Sequence, residues 1–335
     1  STAQVINVTL IGSAPTFTSA GTGDGEATWD SGNGWDSGYG ITELDNGKLL
    51  VAGYSNNGSD GDFTLWRYNA DGTLDTSFNG VGYATTDFGG NEDYGFALDV
   101  QADGKIVVSG TTDNDIAVVR YNADGSLDSS VGTGGRVTTD LFTVDIVERM
   151  ALQADGKILI SGTTGPTGNN EDAYILRYNT NGTVDTSFGN PNGYVLGDWN
   201  GGGVDRGQDI LVQPDGKILQ AHRGPAAPGE GGDGLFSSFN ITRYNSDGSL
   251  DTSFGGNGFA AFDIATQYDF GFGIALQDDG KIIQAGYNNN TGVTLVARWN
   301  SDGTVDTSFG GGNGYVSVNA VDVSNTIRDI HIQPD

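Results

Sequence analysis

One decapeptide is written into this chain five times. It reads NADGTLDTSF from Asn69, NADGSLDSSV from Asn122, NTNGTVDTSF from Asn179, NSDGSLDTSF from Asn245 and NSDGTVDTSF from Asn300. Its seventh residue is Asp75, Asp128, Asp185, Asp251 or Asp306, so successive copies stand 53, 57, 66 and 55 residues apart. That period exceeds the usual solenoid repeat and approaches one propeller blade. A unit this short cannot bury its apolar face alone, so copies of it must stack on one another.

A second landmark precedes every copy: NGKLLVAG at Asn46, DGKIVVSG at Asp103, DGKILISG at Asp155, DGKILQAH at Asp215 and DGKIIQAG at Asp279. Within the second unit, YGFALDVQ, KIVVSGTT, DIAVVRYN and GRVTTDLF are β-branched or alternating runs separated by Asp-Gly turns, which reads as four strands. Apolar spacing of the helical kind is interrupted by Gly within about ten residues everywhere. The expected fold is all-β: a β-propeller of four-stranded blades, with full units at about 36–90, 91–142, 143–199, 200–264 and 265–320. FTSAGTGDGEATWD from Phe17 resembles the tail of a unit, and SNTIRDIHIQPD from Ser324 resembles a head. Joining residues 1–35 to 321–335 as one split blade would remove open sheet edges and predicts six blades in a single domain. The second strand of that split blade stays unassigned, and seven blades follow if the natural chain is longer.

With 56 Gly, only 7 Pro and 10% aromatic residues, the composition suits a folded body of short strands and tight turns. A formal charge of -28 repels phosphate backbones and anionic lipid, which excludes nucleic acid as an expected partner. No run approaches the ~20 apolar residues of a membrane span, so membrane insertion is not expected. Zero cysteines remove disulfides, thiol catalysis and thiolate metal sites. Ser1 opens no basic-plus-apolar leader, so a signal peptide is expected to be already removed or to lie outside this sequence.

The acids of the decapeptide invite a calcium reading. With Gly72 as sixth residue of an EF-hand loop, the first and twelfth would be Arg67 and Phe78, where an acid and a bidentate Glu are needed. That motif therefore fails. A turn accounts for more: Asp71-Gly72 suits a tight turn, Asp75 caps the short TSF stretch, and Leu74 and Phe78 are expected to point inward as anchors between blades. A weaker Ca2+ site built from Asp71 with Asp75, Asp124 with Asp128, Asp247 with Asp251, and Asp302 with Asp306 stays open beside it; no cofactor is required. All five lysines (Lys48, Lys105, Lys157, Lys217, Lys281) and five of the arginines (Arg67, Arg120, Arg177, Arg243, Arg298) recur at fixed repeat positions. They are expected to pair with the recurring Asp residues at blade junctions.

Taken together, DGKI(L/V), RYN(A/S)DG(S/T) and LDTSFG resemble the delta-60 repeat family, found in large bacterial secreted and surface proteins. The resemblance runs from about residue 17 to the end and implies a β-propeller-like fold and an extracellular or cell-surface setting. It carries no catalytic residues. Val131 in place of Phe, Trp299 in place of Tyr and His222 in place of Gly depart from the pattern.

Function is sought where the repeat breaks. HRGPAAPGEGGDGLFSSF from His222 and TGPTGNNEDA from Thr164 lengthen the loop between second and third strands in neighbouring units. They bring His222, Arg223, Glu230, Asp233, Asn169, Asn170 and Glu171 forward as a candidate ligand pocket, with tolerated surface insertions as the plainer reading. Trp29 and Trp199 fall near core positions, whereas Trp35 matches no landmark and is the candidate stacking platform for a sugar ring. An extracellular glycan or a surface protein is the expected partner, in an adhesin-like role, with self-association and a purely structural role as alternatives. A polysaccharide hydrolase or lyase is the rival reading. Two histidines, no cysteine and no Gly-x-Ser-x-Gly elbow leave triad chemistry without a motif; Arg149, Arg206 and Arg328 would be the cations for an acidic sugar.

Overall fold

The computed structural model describes residues 29–90, 92–165, 171–197, 204–224, 238–264, 269–288, 291–318 and 329–332. Among them the chain is all-β, with a single 3-10 turn at Gly310–Gly312. Twenty strands form five four-stranded antiparallel sheets, one per repeat. The first sheet holds β1 (Asp36–Glu43), β2 (Leu49–Asn56), β3 (Gly61–Tyr68) and β4 (Tyr83–Thr86) in that spatial order. The second holds β5 (Asp93–Val100), β6 (Ile106–Thr112), β7 (Asp115–Tyr121) and β8 (Arg136–Thr139). The third holds β9 (Asp145–Leu152), β10 (Ile158–Thr164), β11 (Asp172–Tyr178) and β12 (Tyr194–Gly197). The fourth holds β13 (Arg206–Val212), β14 (Ile218–Arg223), β15 (Phe239–Tyr244) and β16 (Phe259–Phe262), and the fifth β17 (Asp269–Leu276), β18 (Ile282–Asn288), β19 (Val293–Trp299) and β20 (Tyr315–Val318).

The chain divides into two compact units: described residues up to 160 together with 177–185, and residues 161–176 together with those from 186 onward. The first contains the first two sheets, the second the last two. In both, the second and third strands are buried on both faces, which explains their continuous apolar runs, whereas the fourth strand is only four residues long. In the first unit Leu50, Phe63, Leu65, Ile106, Val108 and Val119 form a core between consecutive sheets, and Leu219, Phe239, Ile241, Ile274 and Ile282 do so in the second. First strands of consecutive sheets lie against one another, β1 on β5 and β13 on β17.

The decapeptide is the hook joining one blade to the next. Phe78, Phe188 and Phe254 are fully buried and insert against the turn glycine of the following copy, Gly125, Gly248 and Gly303. A Cβ on those glycines would stand only 2.9, 2.8 and 2.8 Å from the nearest atom, and their φ values of +91°, +88° and +87° already favour glycine. Backbone hydrogen bonds close the hook: Asn79 N donates to Asp124 O at 2.7 Å, Gly189 N to Asp247 O at 2.9 Å and Gly255 N to Asp302 O at 2.8 Å. Arg67, Arg120 and Arg243 add Nη1 donations to the carbonyls of Ala123, Thr180 and Ser301, at 2.7, 2.6 and 2.6 Å. Val131 takes the place of Phe in the second hook and is equally buried. Of the two expected anchors Phe78 is fully buried, whereas Leu74 is half-buried and packs on Val51, Trp66 and Tyr68; the equivalent Leu250 is exposed.

Among the described residues the blade count is five, which corrects the expected six. A blade needs a second strand carrying the Gly-Lys landmark, and that landmark occurs five times. Of the segments assigned to a split blade, residues 1–28, 321–328 and 333–335 lie outside the described residues. Trp29–Trp35 and residues 329–332 contain no strand. Trp29 packs edge-on to Trp66 with centroids 5.4 Å apart, and Ile330 and Ile332 pack on Ile283, Ala285 and Val296.

Candidate functional site

The eight turn acids are occupied by the fold. Asp75 Oδ2 accepts from Lys48 Nζ and Arg67 Nε, both at 2.6 Å, while Oδ1 accepts from Ser77 Oγ at 2.6 Å. The same lysine and arginine pair holds Asp128 (2.9 and 2.7 Å), Asp185 (3.0 and 2.9 Å), Asp251 (2.8 and 2.7 Å) and Asp306 (2.8 and 2.7 Å). Burial raises the carboxyl pKa of Asp75, Asp128, Asp251 and Asp306, but lysine, serine and arginine outweigh it and hold all four well below the usual range. Asp71, Asp124, Asp247 and Asp302 each bind the hydroxyl two residues on, at 2.6, 2.6, 2.6 and 2.7 Å. These oxygens cap turns and neutralise cations, as the regular spacing of Lys and Arg anticipates.

The expected loop pocket is represented by three of its seven residues; Asn169, Asn170, Glu230 and Asp233 lie outside the described residues. Glu171 is buried and pairs with Arg206 Nε at 2.6 Å. His222, with 0% exposure, contacts Thr242 Oγ1 through Nε2 at 3.0 Å and packs on Phe259. Burial depresses its pKa to about 3, so the ring is neutral in the core. Arg223 stacks over Phe270 at 4.1 Å. Arg206 is therefore an ion-pair partner, Trp199 and Arg328 lie outside the described residues, and Trp29 is a packing residue as its alignment suggests.

Trp35 stands apart at 79% exposure, the highest of any large apolar side chain described. It immediately precedes β1, and its carbonyl accepts Asn56 N at 3.2 Å. Just beyond it, β1 departs from regular pairing with β2. Gly38 pairs with Gly53 and Gly40 with Ala52, so Tyr39 is an extra residue in a bulge. The same bulge places Phe96 between Gly95 and Ala97 in β5, and Gln208 between Gly207 and Asp209 in β13. A bulge re-aims a side chain that strict alternation would send elsewhere. Glycine across the ladder makes it fit: a Cβ on Gly53, Gly110 or Gly286 would collide with the carbonyl of Ser37, Tyr94 or Phe270.

The bulges gather rings. Tyr39, 46% exposed, lies 6.2 Å from Tyr54 and 5.1 Å from Phe96, and Tyr94 lies 4.9 Å from Tyr54 and 5.9 Å from Phe96. Burial followed by the Glu92 charge raises the Tyr94 pKa, so its hydroxyl stays protonated. At the same end of the first sheet, Asn57 Nδ2 donates to Asp60 Oδ1 at 2.6 Å and Asp62 Oδ2 at 3.1 Å. Flat apolar faces beside amides and carboxylates can hold a ring that carries hydroxyls. In the second unit, Phe270 and Phe272 meet Tyr287 at 5.5 and 5.6 Å. Sequence reasoning selected Trp35 and missed the others, although the pattern Asp-x-Gly-aromatic at residues 36–39, 93–96 and 269–272 announces them.

Comparison with known proteins bears on the fold. No curated protein matches the chain. Among solved structures, a catalytically inactive virginiamycin B lyase from Staphylococcus aureus shares 12% identity at a TM-score of 0.44, covering 87% of this chain and 73% of that one. An ulvan lyase of polysaccharide lyase family PL25 shares 13% identity at 0.46, covering 88% and 71%, and a gluconolactonase from Xanthomonas campestris shares 14% at 0.42, covering 87% and 78%. Residues 44–78, 101–130, 153–188, 231–254 and 277–309 match the family described as domain of unknown function (DUF5122), beta-propeller, so a repeat of that β-propeller family is matched once in every blade.

Proposed function

We infer that this chain is an extracellular or cell-surface binding module, of adhesin-like character, whose ligand is a glycan stacked on the bulge aromatics. The observation that carries the reading is the exposure of Trp35 immediately before β1 together with that of Tyr39, whose ring lies against Tyr54 and Phe96. Leaving most of a Trp in water removes little of its apolar area on folding, so its stabilising use is in contact with a partner. Resemblance to secreted repeat proteins supports the setting, and the high acidity favours neutral over anionic glycans.

The test is a glycan array followed by titration calorimetry on the best hit. Trp35→Ala and Tyr39→Ala are expected to weaken binding at least tenfold each with unchanged thermal midpoints. Absence of binding to any neutral glycan, or variants that bind like the parent, would refute the reading.

A further inference from the structure

Two groups of three acids in the first unit stand apart from the hook acids among the described residues. Asp62 opens β3, Asp87 follows β4 and Asp93 opens β5; a carboxylate oxygen from each lies within 4.8 Å of the others. The equivalent positions of the next repeat, Asp115, Asp140 and Asp145, form a second such group. The five hook acids each receive a lysine and an arginine, whereas none of the ion pairs among the described residues involves Asp62, Asp87 or Asp93. The guanidinium at this junction, Arg136, is spent on the Asp87 backbone carbonyl at 2.5 Å.

Asp93 supplies the observation that turns acidity into a site. It is 3% exposed, and its Oδ2 accepts Phe88 N at 2.7 Å, but its buried Oδ1 has no hydrogen bond. The Thr112 hydroxyl opposite it on β6 is near enough to lower the carboxyl pKa without reaching bonding geometry. An anionic oxygen sealed from water without a donor is costly, and a cation relieves that cost.

We propose that Asp62, Asp87 and Asp93 form a calcium site that ties the first blade to the second. Oxygen donors without imidazole or thiolate select a hard cation, and three carboxylates from separate segments suit the variable geometry of Ca2+ better than the strict octahedron of Mg2+. Water completes the coordination. The site shares Asp62 with the polar surroundings of the rings, but its test reads Ca2+ binding and not glycan binding, so the two readings fail separately.

The experiment is calorimetric titration of chelator-stripped full chain with CaCl2 up to about 10 mM, beyond the affinity range of extracellular calcium modules, with melting curves in parallel. The parent is expected to bind Ca2+ and to melt at a higher temperature with it. Asp87→Asn, a change at an exposed residue, and Asp93→Asn are each expected to lower the stoichiometry by one. Asp71→Asn, in the first hook, is expected to bind like the parent. No binding by the parent, or parent stoichiometry in both Asp87→Asn and Asp93→Asn, would overturn the proposal. Because Asp87→Asn leaves the core untouched, its result stands even if Asp93→Asn fails to fold.

Discussion

Replacing Asp128 by Asn tests whether the hook acids are structural. Asp128 Oδ2 holds Lys105 Nζ at 2.9 Å and Arg120 Nε at 2.7 Å, and its Oδ1 holds Ser130 Oγ at 2.7 Å. Asn keeps the shape and the serine contact but leaves the buried Arg120 guanidinium without its counter-charge. Breaking a buried pair from one side costs about 3–5 kcal/mol. Arg120 retains the Thr180 carbonyl at 2.6 Å and Lys105 reaches solvent, so the lower end, about 3 kcal/mol, is expected. Lys105→Met removes only the half-buried, solvent-reaching partner and should cost about 1 kcal/mol or less. Urea unfolding of both variants at pH 7 supplies the comparison. The folded carboxyl pKa lies below the unfolded value near 3.9. The stabilisation is therefore complete above the unfolded value and is lost as pH falls through it toward the folded one, so the gap between parent and Asp128→Asn should narrow below about pH 4. A cost under about 1 kcal/mol for Asp128→Asn, or equal costs for the two variants, would refute the argument.

Other outcomes follow from the same geometry. Phe188→Ala empties a fully enclosed site against Gly248 and should cost about 3–5 kcal/mol by chemical denaturation. Gly110→Ala drives a Cβ into the Tyr94 carbonyl where β5 and β6 pair; we expect loss of soluble folded protein or a fall of more than about 3 kcal/mol, whereas Gly134→Ala, with open space around it, should cost about 1 kcal/mol for its positive φ. His222 is neutral when folded and titrates normally when unfolded, so the unfolded chain binds the extra proton between about pH 3 and 6.5. Acidification through that window should remove about 1.4 kcal/mol per pH unit from the parent, and His222→Gln should lack that component of the slope.

The strands were legible because each landmark is adjacent to what it specifies. Gly-Lys precedes β2, β6, β10, β14 and β18, and Arg with its aromatic neighbour closes each third strand. Pairing of Lys48 and Arg67 with Asp75 was also legible, since charges repeated in a fixed phase meet in a fixed place. The aromatic cluster was not, because a bulge breaks the alternation on which strand reading depends, and Tyr54 and Tyr94 meet across two sheets. Asp62, Asp87 and Asp93 are spread over three segments, and nothing local distinguishes them from the many other acids. His222 lies where the sequence suggests a loop, but β14 still runs there and buries it.

The hook has a direction. Each of the first four repeats inserts an apolar side chain, a Phe or Val131, into its successor, which offers it a glycine and a carbonyl in return. Any copy therefore fits any other, and the joint between two copies does not depend on which two they are. A gene encoding such a chain can gain or lose a whole repeat by recombination without a compensating change elsewhere. Divergence then falls on loops and bulges, while the joint itself stays interchangeable.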